Sequence, residues 1–282
     1  MAEPKKPLIR FKLIHYYLVP IICLIVWWGM LIAMLSAWSI QGHPIYYFMS
    51  GYQNPVYISD IGATNLQPLF ISCTGFQAIF FVGTLILIYF LRRYHKLQPY
   101  IKPIQHKLDI ASIVCSVLGQ LGILFVSIFN THIFPDVHIS MVAVFIAFIF
   151  FSCLFNFFTS FIFGNNPDLL SPYHKHDVIF GDRKWDNLYM LSFWLKATWL
   201  AAAFAFAVCF GVFMESGNQS LSAAFEWTIS FWYGLLLIMW SLDLLPAAMK
   251  HYRISHPEIY GPNSEKGVDE DKNEINSGLS TV

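Results

Sequence analysis

Acidic and histidine side chains recur where the apolar stretches of this chain begin or are joined. Asp60 is the acid of segment 55–68. Asp136 and His138 open a later apolar stretch, and Glu226 lies near the start of the last one. Carboxylates and imidazoles together can bind Zn²⁺ or transfer protons. The spacing opposes a zinc site, because no two histidines lie four residues apart on one stretch. We therefore expect these groups to converge in a hydrogen-bonded cluster, with no metal and no cofactor.

The segment around Asp60 has the residue types of a turn followed by a helix start. Ser59 and Asp60 can bond back to neighbouring amides, and Gly62 accepts positive φ. Thr64 and Gln67 have the spacing of a capping box. A structural turn is the favoured interpretation, and a functional site is the alternative. The chain has no Gly-x-Ser-x-Gly motif and no phosphate-binding glycine loop, so we predict that it is not an enzyme.

These residues are set in a chain with the composition of a membrane protein. Hydrophobic residues make up 56% and charged residues only 12%, whereas a soluble domain has about 25% charged residues. A membrane-crossing helix needs about 20 mostly apolar residues, and six stretches are long enough. Their apolar runs are continuous and do not alternate with polar residues, which favours helices over a β-barrel. We predict an all-α, polytopic protein with spans 13–40, 69–91, 108–129, 137–163, 188–213 and 221–249.

Basic residues are distributed unequally between the two sides of these spans. Lys and Arg resist translocation and mark cytosolic segments. Segments 41–68, 130–136 and 214–220 contain no Lys or Arg, so we place them outside. The basic segment 1–12 and the tail 250–282 then lie in the cytosol. The tail has few apolar residues and many charged ones, and we expect it to be disordered.

Lys196 and Asp243 are ionisable residues within predicted spans. Each lies about two helical turns from the cytosolic end of its span, so the two are at similar depth. A charged group at the bilayer centre costs about 3 kcal/mol or more and needs a partner or a route to water. We expect either an ion pair between Lys196 and Asp243 or a Lys196 side chain that extends to the headgroups.

The loop after the second predicted span carries five basic residues next to the cytosolic membrane surface. Each contributes about 1 kcal/mol of attraction to an acidic leaflet, so the loop is a candidate binding site for phosphoinositide headgroups. The alternative is that these charges only orient the helices. The residues are Arg92, Arg93, Lys96, Lys102 and Lys107.

Small residues predict which spans pack closely, because helices in lipid associate through close backbone contact. The third and fifth predicted spans each carry a row of small residues at four-residue spacing. We therefore expect these two spans to pack against each other. The rows are Ala111, Cys115 and Gly119 in the third span, and Ala197, Ala201 and Ala205 in the fifth.

Three short motifs in this six-span arrangement resemble the Frag/DRAM/Sfk family. They are a Ser-Asp-x-Gly turn in the first exterior loop, an Asp-x-His pair opening the fourth span and a Glu-Trp pair in the sixth. The resemblance covers about residues 8 to 250 and is nearest to the fungal Sfk branch, given Ile61 and Ala63. The motif residues are Ser59, Asp60, Gly62, Asp136, His138, Glu226 and Trp227.

The resemblance implies a function but no catalytic residues. Family members include autophagy modulators, a protein that remodels GPI-anchor lipids, and Sfk proteins that work with a plasma-membrane phosphatidylinositol 4-kinase. We expect a non-enzymatic regulator of phosphoinositide signalling and membrane lipid organisation. Its expected partners are membrane lipids and a phosphatidylinositol 4-kinase complex on the cytosolic side, with no nucleic acid. GPI-anchor remodelling or autophagy modulation is the alternative. The plasma membrane is the expected compartment, with the endoplasmic reticulum, Golgi or vacuole as alternatives.

Overall fold

The protein is a bundle of six long helices with one short helix between the first two. A computed structural model describes residues 15–49, 51–171 and 178–255, with side chains as far as residue 249. In that part of the chain the only β-structure is an isolated antiparallel bridge between Ile179 and Asn187. The helices are α1 (Leu18–Ile40), α2 (Ile58–Gly62), α3 (Gln67–Arg93), α4 (Pro103–Ile128), α5 (Pro135–Gly164), α6 (Leu188–Glu215) and α7 (Gln219–Ser255), with a 3₁₀ turn at Pro167–Leu169.

The six predicted spans are confirmed. Helices α1, α3, α4, α5, α6 and α7 are each long and apolar enough to cross a membrane. Helix α7 continues to Ser255, beyond the predicted end of the sixth span. The basic segment 1–12 and residues 256–282 of the predicted tail lie outside the described residues. The cytosolic placement of both termini stays a prediction.

Several helix ends follow from single residues. Pro103 and Pro135 open α4 and α5, where a missing N–H is tolerated and the fixed φ suits a helix. The Asn187 side chain caps α6 by accepting a hydrogen bond from the Met190 amide at 2.9 Å. After α6, Gly217 adopts a φ of 78°, the left-handed conformation that ends many helices. The α6–α7 connection is therefore a sharp turn encoded locally.

The long helices form a closed circuit in chain order. Each packs against the next, and α1 packs against both α3 and α7. Two indole N–H groups of α1 close the circuit. Trp27 Nε1 donates to the Ser230 carbonyl at 2.8 Å, and Trp28 Nε1 donates to the Phe231 carbonyl at 3.1 Å. Helix α2 lies between α1, α3, α4 and α7 at one end of the bundle.

The predicted packing of the third span against the fifth is wrong, because α4 packs most extensively against α5. A Cβ on Gly122 would lie 2.9 Å from the Phe145 amide nitrogen, and one on Gly119 would lie 2.8 Å from Ile149 Cγ1. Gly119 of the predicted row, together with Gly122, therefore packs against α5. Ala201 and Ala205 of α6 are exposed on the outer face of the bundle.

The two ends of the bundle differ in their connections. We call the end that holds α2 and the connections 41–66, 129–134 and 216–218 the α2 end. The opposite end holds the connections 94–102 and 165–187, and we call it the basic end. The predicted topology places the α2 end outside and the basic end in the cytosol.

Candidate functional site

Helix α7 holds α2 in place through two adjacent side chains at the α2 end. The Glu226 Oε2 atom accepts a hydrogen bond from the Ile58 amide at 2.7 Å, and the Ser59 amide also donates to this carboxylate. Trp227 Nε1 donates to the Val56 carbonyl at 2.8 Å. Since the first amides of a helix have no partner within the helix, Glu226 satisfies donors that burial would otherwise leave unpaired.

Asp60 lies inside the same assembly and is bonded to a neutral group. Its Oδ2 atom accepts a hydrogen bond from Gln53 Nε2 at 2.9 Å. The residue is 5% exposed. Burial raises the pKa of Asp60 to about 6, although hydrogen bonds from Gln53 and the Tyr57 backbone oppose the shift. Burial also raises the pKa of Tyr57 to about 12, and the charges of Glu226 and Asp60 add to that effect.

Gly62 is required for close packing and not for a turn. It ends α2 outside the left-handed region. A Cβ at this position would lie 2.4 Å from Cδ1 of Phe70, a buried ring of α3. The Ser-Asp-x-Gly motif is therefore a helical turn in which Ser59 and Asp60 are buried. Because Gly62 has no Cβ, this turn can pack closely against α3.

The predicted capping box of Thr64 and Gln67 does not form. Thr64 Oγ1 donates to the Ile61 carbonyl at 2.7 Å, and Leu66, the residue before α3, makes no side-chain cap. Gln67 Nε2 instead donates to the Ile128 carbonyl at 3.0 Å. Gln67 therefore satisfies the last carbonyls of α4, which is a long-range role that local spacing does not reveal.

Asp136 and His138 do not join the buried acids, so the expected four-residue cluster divides into two groups. His138 is buried, with Nδ1 2.9 Å from the Phe129 carbonyl and 3.0 Å from the Val126 carbonyl. It therefore joins the start of α5 to the end of α4. Asp136 is exposed in the first turn of α5. No hydrogen bond among the described residues connects either one to Asp60 or Glu226.

Within the described ranges, no group of three or more His, Cys, Asp or Glu side chains has the arrangement of a metal site. The remaining histidines of the α2 end contact aromatic rings. His132 stacks on Phe48 with ring centroids 4.8 Å apart, and His43 lies edge-on to Trp38 at 4.5 Å. Among the described residues, the hydrogen bonds of the α2 end join structural elements to one another, and none of them links an acid to a histidine.

A large cavity lies beside Glu226. Residues of α5, α6 and α7 form most of its lining, and α1, α2, α3 and α4 each contribute one or two. Its volume is about 660 Å³, within the range of about 300–1,000 Å³ typical of ligand pockets. Most of the wall is aliphatic or aromatic. Glu226, Ser230 and Tyr233 supply its carboxylate and hydroxyl groups, and all three belong to α7. The sequence did not predict this cavity.

At the basic end, the structure pairs Lys196 of α6 with Asp243 of α7. Lys196 Nζ contacts Asp243 Oδ2, and Lys196 is 1% exposed. The second carboxylate oxygen of Asp243 accepts a hydrogen bond from Ser192 Oγ at 3.0 Å. Lys196 therefore does not extend to the headgroups, which was the alternative interpretation.

Arg92 does not belong with the other basic residues of its loop. It is 7% exposed, donates to the Gln98 carbonyl at 3.1 Å, and places its guanidinium 4.7 Å from the centre of the Phe163 ring. Its expected role as a headgroup ligand is therefore wrong. The side chains of Arg93, Lys96, Lys102 and Lys107 are exposed.

Asp109 is a buried acid of the basic end that our sequence analysis missed. Its Oδ2 atom accepts a hydrogen bond from the Tyr100 hydroxyl at 2.7 Å, and Oδ1 accepts one from Thr159 Oγ1 at 2.8 Å. The Arg92 charge also acts on this carboxyl. The sequence did contain a signal for it. Asp109 lies inside the predicted third span, and an acid within a span needs a partner.

Comparison with known proteins gives one family and two relatives. The model described as the Frag1/DRAM/Sfk1/Cwh43P N-terminal domain matches residues 15–247. Protein SFK1 of Saccharomyces cerevisiae is 37% identical, over 80% of this chain and 77% of that protein. Protein sfk1 of Schizosaccharomyces pombe is 24% identical, over 92% of this chain and 71% of that protein. No solved structure gives a significant match.

Proposed function

Because this chain belongs to the Frag1/DRAM/Sfk1/Cwh43P family, we propose that it is a regulatory, non-enzymatic membrane protein that acts on phosphoinositide signalling and membrane lipid organisation. The proposed compartment is the plasma membrane. The proposed partners are acidic lipids and a phosphatidylinositol 4-kinase complex at the basic end.

The observation that carries this proposal is the cluster of exposed basic side chains on the α3–α4 connection. Arg93 ends α3, Lys96 and Lys102 lie in the connection, and Lys107 lies in the second turn of α4. Exposed cations next to the headgroup region attract anionic lipids by about 1 kcal/mol each. Arg92 is buried, and Lys96 donates to the Tyr16 hydroxyl at 3.2 Å. Arg93, Lys102 and Lys107 are therefore the exposed cations best placed to face a phosphoinositide-rich leaflet. Such a surface favours retention of these lipids beside the bundle.

Three acids that bond to partners inside the bundle support a regulatory role. A general acid or base must reach its substrate through hydrogen-bond contact. Asp60 bonds to Gln53, Asp109 to Tyr100 and Thr159, and Asp243 to Lys196 and Ser192. These acids stabilise contacts between parts of the bundle, which suits a scaffold better than a hydrolase.

The test removes two positive charges from the α3–α4 connection and keeps other basic residues to orient the neighbouring helices. Cells that lack the endogenous protein receive Lys102→Gln with Lys107→Gln, while Arg92, Arg93 and Lys96 remain. We expect a weaker phosphatidylinositol 4-phosphate signal at the cell surface at equal protein level. The matched control is Arg183→Gln with Lys184→Gln, which removes the same charge from the exposed α5–α6 connection and should leave the signal near wild type.

Insertion is checked with cysteines at Gly51 and Ser171. The first should react with a membrane-impermeant thiol reagent on intact cells and the second should not. Equal lipid signals in the two double variants would refute the role of the α3–α4 connection. Altered GPI-anchor acyl chains in the deletion cells, with normal phosphatidylinositol 4-phosphate, would favour anchor remodelling instead.

A further inference from the structure

Helices α5 and α6 contact each other along only part of their length. Their aromatic pairs among the described residues begin at Phe150 and Phe204, with ring centroids 5.7 Å apart, and continue to Phe161 and Phe193 at 5.0 Å. All of these pairs lie from Phe150 toward the basic end. The last turn of α5 then packs on Met190. Toward the α2 end, both helices line the cavity.

The cavity thus lies mainly between α5 and α6 in the half of the bundle near the α2 end, and it extends inward to Trp27, Phe70 and Tyr233. Its α5 wall runs from Ile139 to Phe151, about 18 Å at 1.5 Å per residue. Half of a bilayer's hydrocarbon core is about 15 Å thick. The height of the space therefore matches one leaflet. Ala143 on α5 and Ala207 on α6 face the space from opposite sides.

Glu226 gives this apolar space an electrostatic preference. It is the one charged side chain among the described residues that line the cavity. Its carboxylate accepts hydrogen bonds from backbone amides of α2, and a carboxylate has about four lone-pair sites, so capacity for another donor remains. No described cation forms an ion pair with it. An apolar slot with an unpaired carboxylate complements a chain that ends in an ammonium group.

We propose that the cavity is a binding site for one phospholipid of the α2-end leaflet. An acyl chain occupies the space between α5 and α6, and a primary ammonium headgroup donates a hydrogen bond to Glu226. A choline headgroup fills the same volume but has no N–H to donate. The site is therefore selective for phosphatidylethanolamine over phosphatidylcholine. The proposed function rests on the basic end, and this lipid site does not, so either one can fail without the other.

The experiment uses the full-length protein in nanodiscs that contain a trace of phosphatidylethanolamine with a photoreactive acyl chain. After irradiation, mass spectrometry should locate crosslinks on 139–147 of α5 and 207–214 of α6. Ala207→Phe fills the space and should lower crosslinking by about tenfold. Ala205→Phe is the matched control, since Ala205 is exposed and lies outside the lining. Ala143→Phe fills the space from the other wall, in case Ala207→Phe does not fold.

Headgroup selectivity is measured by competition with unlabelled lipids. Phosphatidylethanolamine should compete about tenfold better than phosphatidylcholine, as expected for one charge-assisted hydrogen bond. Glu226→Gln keeps an acceptor for the Ile58 amide and should abolish the preference while crosslinking persists.

Three results would overturn the proposal. Crosslinks spread over all outer faces and unchanged by both filling variants would show that the cavity holds no lipid. Equal competition by the two lipids would remove the ammonium assignment. Crosslinks replaced by contacts between two copies of the chain would identify a protein helix as the occupant.

Discussion

The two ends of the bundle bury acids in different ways. At the basic end, Asp243 pairs with the Lys196 cation, and the charge of Arg92 acts on Asp109. At the α2 end, Glu226 and Asp60 are held by backbone amides and a glutamine. A buried acid paired with a cation depends on that partner's charge, whereas an acid held by neutral donors can also take up a proton. The basic end therefore holds its acids near cations, whereas the α2 end holds its acids through neutral donors.

The largest expected effect comes from breaking the charge pair of the basic end. Lys196→Met leaves the partly buried Asp243 without its cation, which should lower the free energy of unfolding by about 3 kcal/mol, the low end for breaking a buried pair. Glu226→Gln at the α2 end preserves a hydrogen-bond acceptor and should cost about 1 kcal/mol or less. Thermal and denaturant unfolding in detergent micelles measures both.

The double variant Lys196→Met with Asp243→Leu separates the charge effect from packing. It should be more stable than Lys196→Met alone, because no unpaired charge remains. Lys184→Met, at an exposed site, controls for loss of a lysine. If Lys196→Met and Glu226→Gln were equally tolerated, the contrast between the two ends would be wrong.

A smaller effect is expected where α2 rests on α3. Gly62→Ala places a Cβ against the buried Phe70 ring, and this overpacking should cost about 1–3 kcal/mol. Gly83→Ala in α3 is the matched control, because a Cβ there meets no atom within 4 Å. The unfolding temperatures of Gly62→Ala and Gly83→Ala measure this cost. A Gly62→Ala protein as stable as Gly83→Ala would show that Phe70 moves without cost.

Trp227→Phe tests the neutral hydrogen bonds of the α2 end. The substitution removes the donor to the buried Val56 carbonyl, and we expect a loss of about 1–2 kcal/mol. Trp185→Phe is the control, since Trp185 is exposed at the basic end. Faster hydrogen exchange in residues 53–62 should accompany the loss. Unchanged exchange there would mean that Trp227 does not hold the first loop.

The α2 end should also show a pH dependence. The folded pKa of Asp60, about 6, lies above its ordinary value of 3.8, so the folded state binds the proton more tightly. Stability from this residue is present below about pH 4 and is lost as pH rises to about 6. Hydrogen exchange in residues 53–62, corrected for its intrinsic pH dependence, should accelerate across that window. Asp60→Asn should remove the change, and an unchanged profile in Asp60→Asn would assign it to another group.

The sequence predicted the helices because their physical cause is composition. A continuous apolar run in lipid must satisfy its amides internally, so the six spans and the all-α fold were recovered. The family came from the resemblance of three short motifs, and the family model confirms it. Pairing of helices was not recovered, because small residues show that a face is close-packed but not which helix packs on it. The glycines of α4 face α5, while Ala201 and Ala205 of α6 face outward.

The candidate site was predicted in part, and the failures have two causes. Arg92 and Arg93 are adjacent in sequence, yet only Arg92 is buried, because it follows Leu85 and Ile88 on the inner face of α3. The sequence alone shows this spacing of Leu85, Ile88 and Arg92, so the burial of Arg92 could have been predicted. The bonds of Gln67 and His138 to the end of α4, and the cavity between α5 and α6, depend on how helices diverge in space. No local pattern encodes such divergence.

The closed circuit of helices also constrains how the protein is made. Consecutive helices are partners, so most packing can form as each new span leaves the ribosome and enters the bilayer. The contact of α1 with α7 is different, because Trp27 and Trp28 need carbonyls near residue 230. Gly234 belongs to the same junction, since a Cβ there would lie 2.1 Å from Trp28 Nε1. Ring closure is therefore a late event in biogenesis, and until α7 is inserted the indoles of α1 have no such acceptors.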